Sequence, residues 1–293
     1  MGQPPIPPTP SGVNLSGKTI IITGGNAGLG YEAAKQFLTL GASHVILACR
    51  SISKGQEAVS ALRADPTVKQ SNPDALIEVF ELDLNDYQSG LRFSNKVKSE
   101  VKELDILLNN GGQVVMDYRM SKNNHEQNMQ GSATQISQNT LTKKPISPES
   151  TVLGHFDNEA NYNKFFRYAD TKTVVNAYVR RLAALAPSEV IVNNLCPGLV
   201  QTGLDKNLPF YLRLPMLFFR RSAGRTVEEG ARTLIYATTV AGPETNGKFL
   251  QNNKVHPGAA FLNTAEGGEF IDKLWKESVQ DAATVNPKLS SYA

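Results

Sequence analysis

The chain is predicted to be α/β, a single doubly wound domain on a mostly parallel sheet, and three observations predict it. Short β-branched apolar runs alternate with stretches of helical spacing along much of the 293-residue chain. The first such run feeds directly into a glycine-rich turn that opens a helix. No linker-like stretch divides the middle of the chain, although length alone permits two domains. Residues are 40% hydrophobic and 19% charged, which suits a globular protein with a full core.

Residues 1–14 are set apart as a flexible tail, and 15–293 form the expected domain. Pro4, Pro5, Pro7, Pro8 and Pro10 give the tail an extended, mobile character. It has no apolar signal core. Met1-Gly2 invites a lipidation reading, but Ile6 stands where Ser or Thr is wanted. No run approaches the ~18 apolar residues of a membrane-spanning helix. The net charge of +3 is too small and dispersed to argue for nucleic acid. Cys49 and Cys196, the only cysteines, flank apolar runs and are expected as packed, reduced thiols in a cytoplasmic setting.

Lys18 to Thr23 reads as a buried parallel strand. Gly24, Gly28 and Gly30 follow, then a helix from Tyr31 to Leu40 with Ala33, Ala34, Phe37 and Leu38 on one face. His44 to Cys49 is the second strand. This is a βαβ unit of Rossmann type with glycines at its first turn, where backbone can approach a pyrophosphate resting on a helix N-terminus. The spacing Thr23-Gly24-x-x-x-Gly28-x-Gly30 is not GxGxxG. Here the chain resembles the short-chain dehydrogenase/reductase family, NADP-preferring, and within it the retinol-dehydrogenase-like and fungal secondary-metabolite tailoring members.

That resemblance implies that Gly24, Asn26, Gly28, Leu29 and Gly30 bind a nicotinamide dinucleotide. At the end of the second strand an acidic residue would hold the ribose hydroxyl of NAD. This chain has Arg50 there, with Lys54 nearby, and two cations favour the 2′-phosphate of NADP. Ala75 to Leu82 is a third strand delivering Asp83-Leu84, the pair that borders adenine in the family. Leu104 to Leu108 is a fourth, ending in Asn109-Asn110-Gly111-Gly112, similar to the family's Asn-Asn-Ala-Gly.

The pattern then breaks. A parallel strand needs a crossover of a dozen or more residues before the next strand. From Gln113 to Thr140 the chain is polar instead, and only 23 positions separate Asn109 from Ser132. Gly131-Ser132 resembles the end of the family's serine-bearing strand without the strand. The chain is expected to lack one central strand and one helix, with the junction near Gln130-Gly131. A lost exon and a deletion retained in a redox-dead relative are the two readings of that gap.

Arg167 to Leu185 is helical, and Tyr168 and Lys172 share one face of it at i and i+4. A nearby cation stabilises phenolate and lowers a pKa unperturbed near ~10. By resemblance, Tyr168 is the general acid/base, Lys172 lowers its pKa and binds the nicotinamide ribose, and Ser132 orients the substrate carbonyl. Glu189 to Cys196 reads as a buried strand opening into Pro197-Gly198, and Val200 and Thr202 resemble the residues that border the nicotinamide. Residues of about 203–225 stand where the family's substrate lid lies. Their aromatics suggest a hydrophobic small molecule, and Arg213, Arg220 and Arg221 leave a membrane-surface helix as the other reading. A helix over Thr226 to Thr239 and an edge strand over Gly247 to Asn252 complete the domain, and His256 is expected in a solvated loop. The resemblance implies NADP-dependent interconversion of a ketone or aldehyde and an alcohol, in secondary-metabolite biosynthesis. The rival is a catalytically impaired nucleotide-binding or scaffold protein. No metal site is expected, and a homodimer is compatible with the family.

Overall fold

The structure is a computed structural model that describes residues 3–113, 117–130, 140–141, 146–147, 149–164, 166–202 and 210–293. The described residues fall into two compact units. The first lies within Met1–Leu84, Ser89–Gly112 and Pro197–Ala241, the second within Asn85–Gln88, Gln113–Cys196 and Gly242–Ala293.

The first unit is built on a four-stranded sheet. β1 (Thr19–Thr23), β2 (His44–Cys49), β3 (Leu76–Glu81) and β4 (Ile106–Leu108) stand in the order β3-β2-β1-β4, and every pairing is parallel. Ile20 sits opposite Val45 on one side and Ile106 on the other. Being flanked on both sides is why β1 reads as a continuous β-branched run.

Helices α1 (Gly28–Thr39), α2 (Ile52–Ala64), α3 (Pro66–Ser71) and α4 (Tyr87–Glu100) follow the first three strands. Ala33, Ala34, Phe37 and Leu38 of α1 are fully buried. Ile21, Ile46, Ala48, Phe80 and Leu82 form a core against Phe93 and Val97, one helical turn apart on α4, and Val101 beyond it. Each large apolar side chain so buried contributes about 1.5–3 kcal/mol.

In the second unit, α5 (Gln127–Gln130) and α6 (Val152–Asp157) precede the long α7 (Arg167–Leu185). A small sheet follows: β5 (Asn194–Cys196) pairs parallel with β6 (Phe249–Gln251), which pairs antiparallel with β7 (Lys254–His256). The first unit also holds α8 (Phe210–Ala223) and α9 (Val227–Thr239), and the second ends on α10 (Ala265–Ala283). Val174, Ala177, Cys196, Phe249, Phe270 and Leu274 belong to the core of the second unit.

Between Leu108 and Asn194 the described residues contain no strand, only an isolated bridge between Met120 and Glu126. Among them β4 pairs with β1 alone and β5 with β6 alone. Among the described residues neither sheet shows the expected central strand; Gly131 and Ser132, where that strand is expected to end, lie outside them.

Four expectations need correction. The strand expected over Glu189 to Cys196 shrinks to three residues, and Val190 and Ile191 are 45% and 40% exposed. A parallel strand is stabilised by neighbours on both sides, and β5 has one. The expected mobile tail is extended but pinned: Ile6 is 2% exposed, and Gln3 hydrogen-bonds to the backbone of Leu199. His256 lies in β7 rather than a loop, though exposed as expected. Finally, the edge strand expected over Gly247 to Asn252 is β6, the middle strand of its sheet, paired with both β5 and β7; helix α10, for which no expectation stands, is capped by Thr264 and buries Phe270, Leu274, Trp275 and Val279.

Candidate active site

The first unit presents the glycine loop between β1 and α1. Gly24 has φ +64°, and a Cβ there would come within 2.9 Å of Gly111 Cα, so only glycine fits. At Gly30 a Cβ would lie 2.5 Å from Asn110 Nδ2 and 2.6 Å from Gly24 O. Asn110 supports this turn from β4: its amide donates to Thr23 O at 3.0 Å and Gly24 O at 3.4 Å. Gly111 N donates to Thr23 Oγ1 at 2.8 Å. Asn110 therefore shapes the loop, whereas Asn109 beside it is exposed.

Helix α1 begins with extended backbone at Ala27, no side-chain cap and no acidic residue in its first turn. Among the described residues no side chain caps its leading N–H groups, those of Gly28 and Leu29 included, an arrangement that suits an anion. Asn26 and Leu29 are half-buried beside them.

Arg50 follows the last residue of β2, and Lys54 stands in the first turn of α2. Both are exposed, and neither is in an ion pair among the described residues. At the end of β3, Asp83 N donates to Ser89 Oγ at 2.9 Å. Leu84 is exposed, with its Cδ1 beside Gly111.

The Pro-Gly loop closes the group. Val200 is buried and bridges to Arg225, Thr202 N donates to Val200 O at 2.8 Å, and Arg220 donates to Val200 O at 2.9 Å and Thr202 Oγ1 at 3.3 Å. Leu29 and Val200 both pack on Gly230 of α9, where a Cβ would meet them at 3.0 and 2.8 Å. The fold thus gathers the predicted nucleotide residues of this unit onto one framework.

The second unit holds the Tyr168/Lys172 pair in the first turns of α7. Lys172 is 1% exposed, its ammonium 5.0 Å from the centroid of the Tyr168 ring. Its Nζ has no hydrogen-bond partner among the described residues. Burial holds its pKa well below the usual lysine value, with the neighbouring Cys196 side chain acting in the opposite sense. An orphaned buried amine is costly. The hydroxyls of a nucleotide ribose are the kind of partner it lacks, and in this respect the residues present fit a dinucleotide. Ser132 lies outside the described residues, as do positions 203–209 of the expected lid. The remainder of that segment is α8, with Pro215 inside it and Phe218 and Phe219 exposed.

Sequence reasoning missed several charged groups of this unit. Asp170 accepts from Thr140 N at 2.6 Å and Oγ1 at 2.9 Å, and burial raises its pKa. Buried Arg167 lies 3.8 Å from buried Glu126 and over the rings of Phe156 and Tyr162. His125 bridges Asp157 at 2.7 Å and Asp281 at 2.9 Å. An Arg and an Asp on the buried side of α7 were the available signal.

A parallel sheet whose first turn is a glycine loop at an uncapped helix defines the dinucleotide-binding class of α/β proteins. The family model described as short chain dehydrogenase matches residues 18–141. The chain is 68% identical to the short chain dehydrogenase sor7 of Hypocrea jecorina (strain QM6a), covering 89% of this chain and 82% of that one. It is 35% identical to the short chain dehydrogenase macD of Penicillium terrestre, covering 97% and 96%. In fold it matches the Pseudomonas aeruginosa RhlG/NADP active-site complex (TM-score 0.56, 20% identity, 82% and 96% covered). It also matches the MalC reductase/Diels-Alderase of Malbranchea aurantiaca (TM-score 0.53, 18% identity, 81% and 95% covered). This chain belongs to the short-chain dehydrogenase/reductase family of oxidoreductases.

In both alignments the relative occupies positions that this chain does not. In the first, 89% of the 293-residue chain is about 261 residues, so roughly 32 of the 293 aligned positions are occupied only in the relative. In the second, 97% is about 284 residues, leaving roughly 33 of 317. That is the size of a helix, a strand and their turns.

Proposed function

We propose that this chain is an NADP-dependent oxidoreductase that interconverts a ketone or aldehyde and an alcohol on a hydrophobic small molecule, within secondary-metabolite biosynthesis and in the cytoplasm. The observation that carries the reading is Lys172: a buried amine without a hydrogen-bond partner among the described residues, 5.0 Å from the Tyr168 ring. Gly24, Asn26, Gly28, Leu29 and Gly30 would receive the pyrophosphate. Arg50 and Lys54 would receive the 2′-phosphate, and Asp83, Leu84, Asn109 and Asn110 would border the adenosine half. Val200 and Thr202 would border the nicotinamide, which when bound supplies or takes the hydride.

Within that frame Tyr168 moves the proton at the substrate oxygen. A ribose hydroxyl on Lys172 Nζ would raise the charged fraction of the amine, and the ammonium would then stabilise the Tyr168 phenolate. The nucleotide thus prepares the acid/base group. Ser132 is assigned to the substrate oxygen by its place in the family pattern. Helix α8 and the residues before it are the proposed lid; its exposed Phe218 and Phe219 favour an apolar substrate.

A second reading, a catalytically impaired nucleotide-binding protein, is favoured by the roughly 32 positions missing relative to the Hypocrea jecorina protein. Titration of the protein into NADPH, followed by nucleotide fluorescence, separates the readings when paired with a panel of apolar ketones and aldehydes. Binding with turnover supports the enzyme, binding without turnover supports the impaired relative, and no binding defeats both.

A further inference from the structure

We infer that the proline-rich N-terminal arm is a working part of the nucleotide site, with Gln3 as a positioning residue that clamps the Pro-Gly loop in shape for the nicotinamide half. The inference rests on the reading above only where it concerns the nucleotide; the clamp itself is geometry within the first unit.

Between Pro4 and Pro8 the chain offers a single backbone N–H, that of Ile6, because its four neighbours in that stretch are prolines. That N–H donates to Glu229 Oε1 at 2.7 Å, and Arg232 donates back to Ile6 O at 3.1 Å. Both partners sit on α9, three residues apart, and the Ile6 side chain is 2% exposed. One residue is thus gripped through N–H, C=O and side chain together. Prolines on either side have little conformational freedom to lose on docking.

This anchorage delivers Gln3 to the loop. Its Oε1 accepts from Leu199 N at 2.8 Å while its Nε2 donates to Leu199 O at 2.8 Å and to Ala223 O at 3.1 Å. One side-chain amide therefore satisfies both backbone groups of Leu199, the residue before Val200, and ties the loop to the C-terminal end of α8. Gly198 permits the approach: a Cβ there would lie 2.2 Å from Gln3 Oε1. Buried Arg225 secures the other side, donating to Pro4 O at 2.7 Å and Pro197 O at 2.9 Å. An arm bound this way fixes the loop carrying Val200 and Thr202 before any nucleotide arrives, which lowers the ordering cost of binding.

The test compares wild type with Gln3→Ala and Gln3→Leu, reading the exchange of the Leu199 amide by NMR without nucleotide, NADPH affinity by fluorescence, and the melting temperature. Loss of the hydrogen bond that shields the Leu199 N–H predicts Leu199 exchange faster by about tenfold and NADPH binding weaker by about 3–10-fold, and loss of all three Gln3 bonds lowers the melting temperature by a few degrees at most. Unchanged exchange at Leu199 overturns the clamp. Faster exchange with unchanged NADPH affinity overturns its link to the nucleotide. Wild-type protein that binds no NADPH defeats the cofactor reading and with it the arm's role toward the nucleotide, while Leu199 exchange still reports on the clamp independently.

Discussion

Two titratable side chains of the second unit pull its stability in opposite directions. Lys172 is buried without a hydrogen-bond partner among the described residues, and its pKa is lowered. Because the unfolded chain holds that proton more tightly, burial costs stability at neutral pH, and the cost fades as pH rises toward the unfolded value. Replacing Lys172 by Met should therefore raise the melting temperature of the nucleotide-free protein by about 2–4 °C, although it removes a residue proposed to bind. A fall in melting temperature would show that Lys172 has a partner after all. His125 behaves the other way. Its hydrogen bond to Asp157, and then the second bond and charge of Asp281, raise its pKa against the opposing effect of burial. Tyr87 stacks on it at 5.9 Å and adds no positive charge. The stabilisation is fully present below the unfolded pKa near 6.5 and is lost as pH rises through the folded value. Replacing His125 by Gln should cost about 1.5–3 kcal/mol in melts at pH ~5.5 and distinctly less at pH ~8.5. Equal costs at the two pH values would refute the bridge.

At the scale of elements, β1 to β4 were legible because their apolar runs are flanked by neighbours in a parallel sheet and end at glycines or charges. The start of α1 was less so: the expected helix began at Tyr31, whereas it begins at Gly28, since glycine is a poor helix former that propensity counts against. The strand before Pro197 was overestimated for the converse reason. Glu189 to Asn193 has the composition of a buried strand, but composition does not reveal that a neighbour is missing. The pinned arm was illegible too, because its hold comes from Glu229, Arg232 and Arg225, more than 200 positions away. The loop at the end of β2 carries its own prediction. Arg50 and Lys54 are exposed and outside any described ion pair, so Arg50→Glu should weaken NADPH binding by about tenfold or more, a loss of some 1.4 kcal/mol, and leave NADH nearly unaffected. Equal losses for the two nucleotides would remove Arg50 from the 2′-phosphate.

For the whole molecule, the family was legible from the glycine loop and the Tyr168/Lys172 spacing, and so was the damage to it, since a polar stretch of 28 residues from Gln113 to Thr140 cannot supply a buried crossover and strand. Among the described residues β4 pairs with β1 alone and β5 with β6 alone, and the Hypocrea jecorina relative occupies roughly 32 aligned positions that this chain does not. Insertion at Gln130-Gly131 of a segment restoring a helix and a strand should raise both melting temperature and turnover; a chimera no more stable than this chain would show that the junction lies elsewhere. In the proposed chemistry Tyr168 moves a proton while hydride passes to or from a bound nicotinamide. NADPH consumption with apolar ketones and aldehydes, compared between wild type and Tyr168→Phe and paired with NADPH affinity, tests it most directly. The expected result is turnover by wild type, a loss of about 10²–10⁴-fold in the variant, and unchanged nucleotide binding. Turnover that survives in Tyr168→Phe, or wild-type protein that binds NADPH and reduces nothing, would contradict it.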